Sequence, residues 1–252
     1  MRIPILRGMI DRRILVNFRV EADVLARVVP PPFRPQLVSG KGMAGICLIR
    51  LKGIGPRWLP GFAGIGSENA AHRIAVEWDD HGRARSGVYI PRRDSSSILN
   101  RLAGGRLFPG VHHHSRFDVA ETGSHYYIEM SNSDGTRVAV DGEVASELPR
   151  DSIFSSLAEA SDFFARGSLG YSATNSAGVY DGLELRTQEW HVQPLEIRRA
   201  ESTFFANPEL FPPGAVEFDC ALLMRRVAHE WHGVETLTCC EAERIQDCAK
   251  RS

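Results

Sequence analysis

Three consecutive histidines, His112, His113 and His114, and a glutamate, Glu68, are the residues of this chain whose types best suit chemistry. Imidazole titrates near neutrality, so such a run can move protons or ligate a metal. On a strand the pleat separates these two uses. His112 and His114, two apart, share one face, the spacing of β-built zinc sites, and would need Glu68, His125 or His191 as a third ligand. His113 points to the opposite face, where a carboxylate such as Glu68 would make it half of an acid/base pair. Tyr89, Arg92, Arg93 and Asp94 form a second candidate, where a strand feeding a helix could hold a carboxylate or phosphate. The competing reading is a charged loop with Asp94 as a helix cap. His229-Glu230-Trp231-His232 imitates a metalloprotease motif, but its histidines are three apart rather than four, and it is set aside.

The elements that must position these residues follow from periodicity and breakers. Glu21 to Val29 predicts a short helix stopped by Pro30-Pro31-Pro32, and Met43 to Leu51 a buried strand. A Gly/Pro-rich loop from Gly53 to Gly66, carrying Trp58 and Phe62, could roof a pocket. Ala70 to Trp78 and Gly87 to Ile90 read as a hairpin turning at Asp79–Gly82, and Asp94 and Ser95 as the cap of a helix through Leu102. His125 to Met130 and Arg137 to Val144 are strands joined through Asp134-Gly135. Asp151 to Arg166 predicts the longest helix, and Glu189–Val192 and Phe218–Met224 further strands. The pattern implies one α+β domain over residues 1–252, with a core from about 10 to 235 and a loose tail over 236–252.

Composition narrows the function classes. A net charge of −1 gives no field for nucleic acid or an anionic membrane, and no apolar run approaches the roughly 18 residues of a membrane span, so a cytoplasmic protein is expected. The five cysteines lack paired CxxC spacing; reduced thiols are expected, with Cys239, Cys240 and Cys248 in the tail. Of thirty basic residues only Lys41, Lys52 and Lys250 are lysine.

Gly105-Arg106, Gly110 and His113-His114 lie without gaps on the Gly-Arg, Gly, Lys-Lys motif of acetoacetate decarboxylases. Ser67-Glu68-Asn69, Gly87-Val88-Tyr89-Ile90 and Trp190-His191-Val192-Gln193-Pro194 resemble an uncharacterised bacterial branch of the same superfamily. The resemblance implies a strongly curved, cone-like, mostly antiparallel sheet enclosing an apolar cavity, with a few flanking helices. In the decarboxylases a lysine there forms a Schiff base; here histidines occupy both lysine positions, and imidazole cannot form an imine. Glu68 matches the family's buried glutamate, and Arg19 lies near its carboxylate-binding arginine. The resulting expectation is a cavity protein for a small carboxylate or carbonyl compound, with no cofactor, using metal-free acid/base chemistry of a lyase, dehydratase or cyclase by His113 and Glu68. Arg19, Tyr89, Met43, Phe62 and Trp190 would bind substrate. Two alternatives stand beside it: a non-catalytic binder on the same scaffold, and a zinc enzyme using His112 and His114. A homo-oligomer is a further expectation, since exposed β edges favour assembly.

Overall fold

The computed structural model describes residues 5–58, 64–97 and 110–239. Within them the chain is mostly strand: β1 (Leu6–Glu21), β2 (Arg34–Pro35), β3 (Leu37–Val38), β4 (Lys41–Pro56), β5 (Ile65–Asp80), β6 (Arg83–Ser95), β7 (His112–His114), β8 (Arg116–Thr122), β9 (His125–Ser131), β10 (Arg137–Val144), β11 (Leu169–Ala173), β12 (Val179–Thr187), β13 (Gln193–Ser202) and β14 (Val216–Thr238). Helix α1 (Ala22–Val28) follows β1, and α2 (Leu157–Arg166) follows β10. The strands make one curved mixed sheet in the order β1-β4-β5-β6-β11-β12-β14-β13-β10-β9-β8, and β1 also pairs with β14, which closes the first seven into a ring. Neighbours run antiparallel except where β6 meets β11 and β7. Among the described residues no helix is long and apolar enough to cross a membrane.

Strands β1, β4 and β5 are buried on both faces, so their sequences run apolar instead of alternating. One face carries Ile14, Val16, Leu48, Ile74 and Val76, packed against Ile128, Met130, Val138 and Val140 of the β8–β9–β10–β13 wing. The other carries Leu15, Cys47, Ile49 and Ala75, closed by Phe154 and by Phe163 and Phe164 of α2. Helix α2 is N-capped by Ser156, whose hydroxyl accepts from the Glu159 N–H, and ends at Gly167.

Several expectations are corrected. Asp94 and Ser95 belong to β6 rather than to a helix cap, because the Asp94 carboxylate is held by Arg92 at 2.8 and 2.9 Å and by the Ser115 hydroxyl at 2.7 Å; the remainder of that helix lies outside the described residues. Helix α2 starts at Leu157, since Ser152 and the Ile153 N–H are tied to Asp219 and fix residues 151–156 in turns. Glu189–Val192 precede β13 without joining it. At the C-terminal end β14 continues to Thr238 and Cys239 is buried, so this part of the expected tail is core.

His72 of β5 is fully buried against Phe204 and Phe205, with Nε2 2.8 Å from the Ser202 hydroxyl, and burial pushes its pKa down to about 4. In the unfolded chain the imidazole returns to its ordinary value near 6.5, so acid protonates the unfolded state first. Stability is therefore expected to be level above pH 6.5 and to fall between 6.5 and 4, with a contribution from His72 of at most roughly 3 kcal/mol. His72→Gln should make the urea-measured slope over that window shallower by up to about 1.4 kcal/mol per pH unit; an unchanged slope would contradict the assignment.

Candidate functional site

Two neighbouring arginines on β1 define the site. Arg12 and Arg13 point to opposite faces of a strand that is buried on both sides, and both are under 10% exposed. Arg12 meets Glu68 Oε2 at 2.6 Å and Glu121 Oε1 at 2.7 Å, and Arg50, opposite Glu68 in the β4–β5 register, bonds the other Glu68 oxygen. Its charge is answered. Arg13 faces the ring interior, where Nε donates to Cys47 Sγ at 3.4 Å and the guanidinium lies 5.7 Å from the Trp190 ring.

Arg73 reaches the same interior from β5 and Arg93 from β6. Arg73 Nη2 donates to Asn17 Oδ1 at 2.6 Å and its guanidinium lies 5.4 Å from the Phe164 ring; Arg93 Nε donates to the Ser172 hydroxyl at 3.1 Å. Among the described residues no carboxylate lies within ion-pair distance of Arg13, Arg73 or Arg93. Burial pushes both Arg73 and Arg93 down to about 10, which leaves them cationic at neutral pH. The three guanidiniums line a mainly apolar cavity of about 100 Å³, together with Cys47, Asn69, His112, Trp231 and Asp94, whose carboxylate is already held by Arg92 and Ser115.

Supporting contacts fix these side chains. Asn17 donates through Nδ2 to the Leu15 and Cys220 carbonyls, which aims its oxygen at Arg73. Gly45 sits between Asn17 and Arg73 in register, and a Cβ there would come within 2.4 Å of the Val16 carbonyl. Gly110, at φ +85°, presses against Ser172, the Arg93 partner; a Cβ would lie 2.6 Å from the Ser172 Cβ, so both its conformation and its contact require glycine. Trp190 Nε1 donates to Ser161 of α2, so the helix anchors the Trp190 ring that lies beside Arg13.

Among the described residues, three buried N–H donors of this cavity have no acceptor: Arg13 Nη1, Arg73 Nε and Trp231 Nε1. An orphaned buried donor costs about 1–3 kcal/mol, more when charged. All three ask for the same complement, an acceptor-rich, negatively charged group.

The expected site residues are redistributed by the pleat. His112, beside Arg93 in the β6–β7 register, lines the cavity; His113, next to Asp94 in that register, does not line it, and His114 is exposed. Glu68 spends its oxygens on Arg12 and Arg50 and does not join the cavity. His113 and Glu68 are thus not the pair at the cavity wall. For the zinc alternative, His125 is bonded to Asp141 and His191 is exposed; among the described residues no three His, Cys, Asp or Glu are grouped to hold a metal ion. Arg19 is taken by Glu217, Asp151 and Asp219, and Tyr89 is packed among Phe33 and Tyr180. Met43 is buried beside the cavity without lining it, Trp190 acts through Arg13, and Phe62 lies outside the described residues. Of the Tyr89, Arg92, Arg93 and Asp94 group, Arg93 and Asp94 line the cavity, and Arg92 is bound to Asp94. Arg13, Arg73, Asn69, Cys47 and Trp231 were missed; the available signal was a charged residue at an inward position of a doubly apolar strand.

The model of a family described as an uncharacterized conserved protein, DUF2071, matches residues 9–225. The chain belongs to the DUF2071 family. No curated protein sequence matches it. Among solved structures, this DUF2071 chain is similar to acetoacetate decarboxylase from Legionella pneumophila subsp. pneumophila str. Philadelphia 1, at 10% identity, covering 93% of this chain and 88% of that one, with a TM-score of 0.57. An acetoacetate decarboxylase-like enzyme from Sphingomonas wittichii RW1 gives 12%, 93%, 94% and 0.57. The enduracididine biosynthesis enzyme MppR complexed with pyruvate gives 10%, 93%, 90% and 0.54. At these identities the likeness is one of fold, and it bears out the curved, mostly antiparallel fold expected from the sequence.

Removing one member of a compensated buried ion pair costs roughly 3–5 kcal/mol, whereas replacing an uncompensated buried charge with an apolar chain of similar volume is neutral or stabilising. Arg73→Met in this DUF2071 chain is therefore expected to leave ligand-free stability unchanged or raised in urea titration. A loss of 3 kcal/mol or more would show that the Arg73 charge is compensated within the fold.

Proposed function

We propose that this chain is a small-molecule enzyme acting on a carboxylate that carries a carbonyl group, with Arg13, Arg73 and Arg93 holding the anion and His112 moving a proton. The observation that carries this reading is the convergence on one apolar cavity of three buried guanidiniums that, among the described residues, have no carboxylate partner and leave N–H donors unanswered. Bidentate guanidinium contacts suit carboxylates, and low dielectric strengthens them. At about 100 Å³ the cavity falls below the roughly 300–1,000 Å³ of drug-sized sites, so the ligand has few heavy atoms. The pyruvate bound to MppR is a molecule of this class.

The chemistry available is proton transfer at the carbon next to the carbonyl. Removing that proton develops enolate charge, and preorganised cations in a water-poor site stabilise charge as it forms. His112 is the imidazole at the cavity wall and the candidate general acid/base. None of the described lysines lines the cavity, so the reading includes no imine. The protein is a soluble cytoplasmic enzyme in this account, and the His112 chemistry is written without a metal.

The test uses 2-oxobutanoate in D2O. Proton NMR should show protein-dependent exchange at C3, reduced about 100-fold or more in His112→Asn, and borohydride treatment of the mixture should leave the protein mass unchanged. Exchange that survives the substitution would remove His112 from the mechanism, and a reduced adduct on a lysine would restore the imine. Thermal stabilisation by 2-oxobutanoate without exchange would favour the non-catalytic binder.

A further inference from the structure

Cys47 is the one thiol on the cavity wall among the described residues, and the proton-transfer reading leaves it unused. It lies on β4 opposite Leu15 and Ala71, it is buried, and it lines the cavity. The Nε–H of Arg13 points at its sulfur from 3.4 Å. A negative charge on Cys47 also acts favourably on Arg73 and on Arg93, so the sulfur lies within the field of all three guanidiniums. Electropositive, ligand-accessible surroundings of this kind mark reactive rather than structural cysteines. The adjoining donors, Arg13 Nη1 and Arg73 Nε, belong to side chains more than nine-tenths buried and have no acceptor among the described residues, so a ligand is called for beside the sulfur as well.

Cys220 provides the contrast inside the same fold. It is fully buried, and burial together with neighbouring Asp219 pushes its thiol up, away from reactivity. The two cysteines share the interior face, but only Cys47 opens onto the cavity.

We propose that Cys47 is a nucleophile directed at small electrophilic carboxylates held by Arg13, Arg73 and Arg93. With an α,β-unsaturated carboxylate, the sulfur lone pair forms an S–C bond to the β-carbon and the C=C π pair moves toward the α-carbon and carboxylate, where the guanidiniums hold the charge. The proton lost by the thiol returns to the α-carbon, so the thiol adds across the double bond with no change in oxidation state. The proposal rests on the anion-binding reading of the cavity and adds a covalent function to it.

The test is a rate comparison on the full chain with two alkylating probes of similar size, anionic iodoacetate and neutral iodoacetamide. In both, sulfur displaces iodide at one carbon. Peptide mapping by mass spectrometry reads each cysteine separately, and glutathione supplies the reference ratio of the two rates. The expected result is a Cys47 preference for iodoacetate at least tenfold above that of glutathione, suppressed by excess acetate and lost in Arg13→Gln. Labelling of Cys47 without any preference for the anion would overturn the proposal together with the anion-binding reading beneath it. No labelling of Cys47 by either probe, while acetate still raises the melting temperature of the native protein, would overturn the nucleophile alone and leave the anion site standing. The probe comparison on the unmodified chain decides the matter even if Arg13→Gln does not fold.

Discussion

The pleat of a strand buried on both faces is the constraint on which this structure turns. Because successive side chains of β1 point to opposite sides, Arg12 and Arg13 cannot share partners, and because both sides are covered, neither can reach bulk water. The fold resolves the two charges differently. Arg12 is neutralised by Glu68 and Glu121, and that network ties β1, β5 and β8 together. Arg13 faces a cavity where Arg73 and Arg93 add further positive charge; the one acid that lines it among the described residues, Asp94, spends its carboxylate on Arg92 and Ser115. A desolvated ion costs several kcal/mol unless something compensates it, so a cluster of three is costly for a structure with no use for it. In the proposed function this cost is reserved for a ligand, as is common at functional sites.

Helix α2 and the segment that leads into β13 make the cluster rigid. Phe164 lies against Arg73 and Trp190 against Arg13, and Trp190 is itself bonded to Ser161. Aromatic faces stabilise guanidiniums without consuming all of their N–H groups, which leaves donors free to meet an incoming acceptor. Asn17 and Ser172 perform a similar task through one bond each, and Gly45 and Gly110 supply the room those two side chains need. The cations are therefore preorganised, and preorganised charge lowers the cost of binding a small anion and of stabilising an enolate derived from it.

Much of the scaffold was legible in the sequence, whereas the cavity lining was not, and at two positions it lies one residue from those singled out. The helix after Glu21, the strand around Cys47 and the hairpin at Asp134-Gly135 follow from breakers and periodicity, which act locally. Glu68 and His113 were the residues singled out, whereas Asn69 and His112 line the cavity. A run of three identical residues carries no information about which pleat phase faces inward, and a slip of one reverses every side chain. Arg73 lies between His72 and Ile74, both fully buried, and only tertiary structure shows which of its neighbours are cations and which acids. Asp94 illustrates the same limit: its type suits a helix cap, and a neighbouring arginine on its own strand keeps it extended.

The central claim, that an anion completes the guanidinium cluster, is tested most directly by anomalous diffraction from crystals soaked in bromide. The account predicts a bromide peak inside the cavity, within hydrogen-bond distance of Arg13 Nη1 and Arg73 Nε. Bromide confined to surface arginines, with the interior donors satisfied by the protein itself, would contradict it.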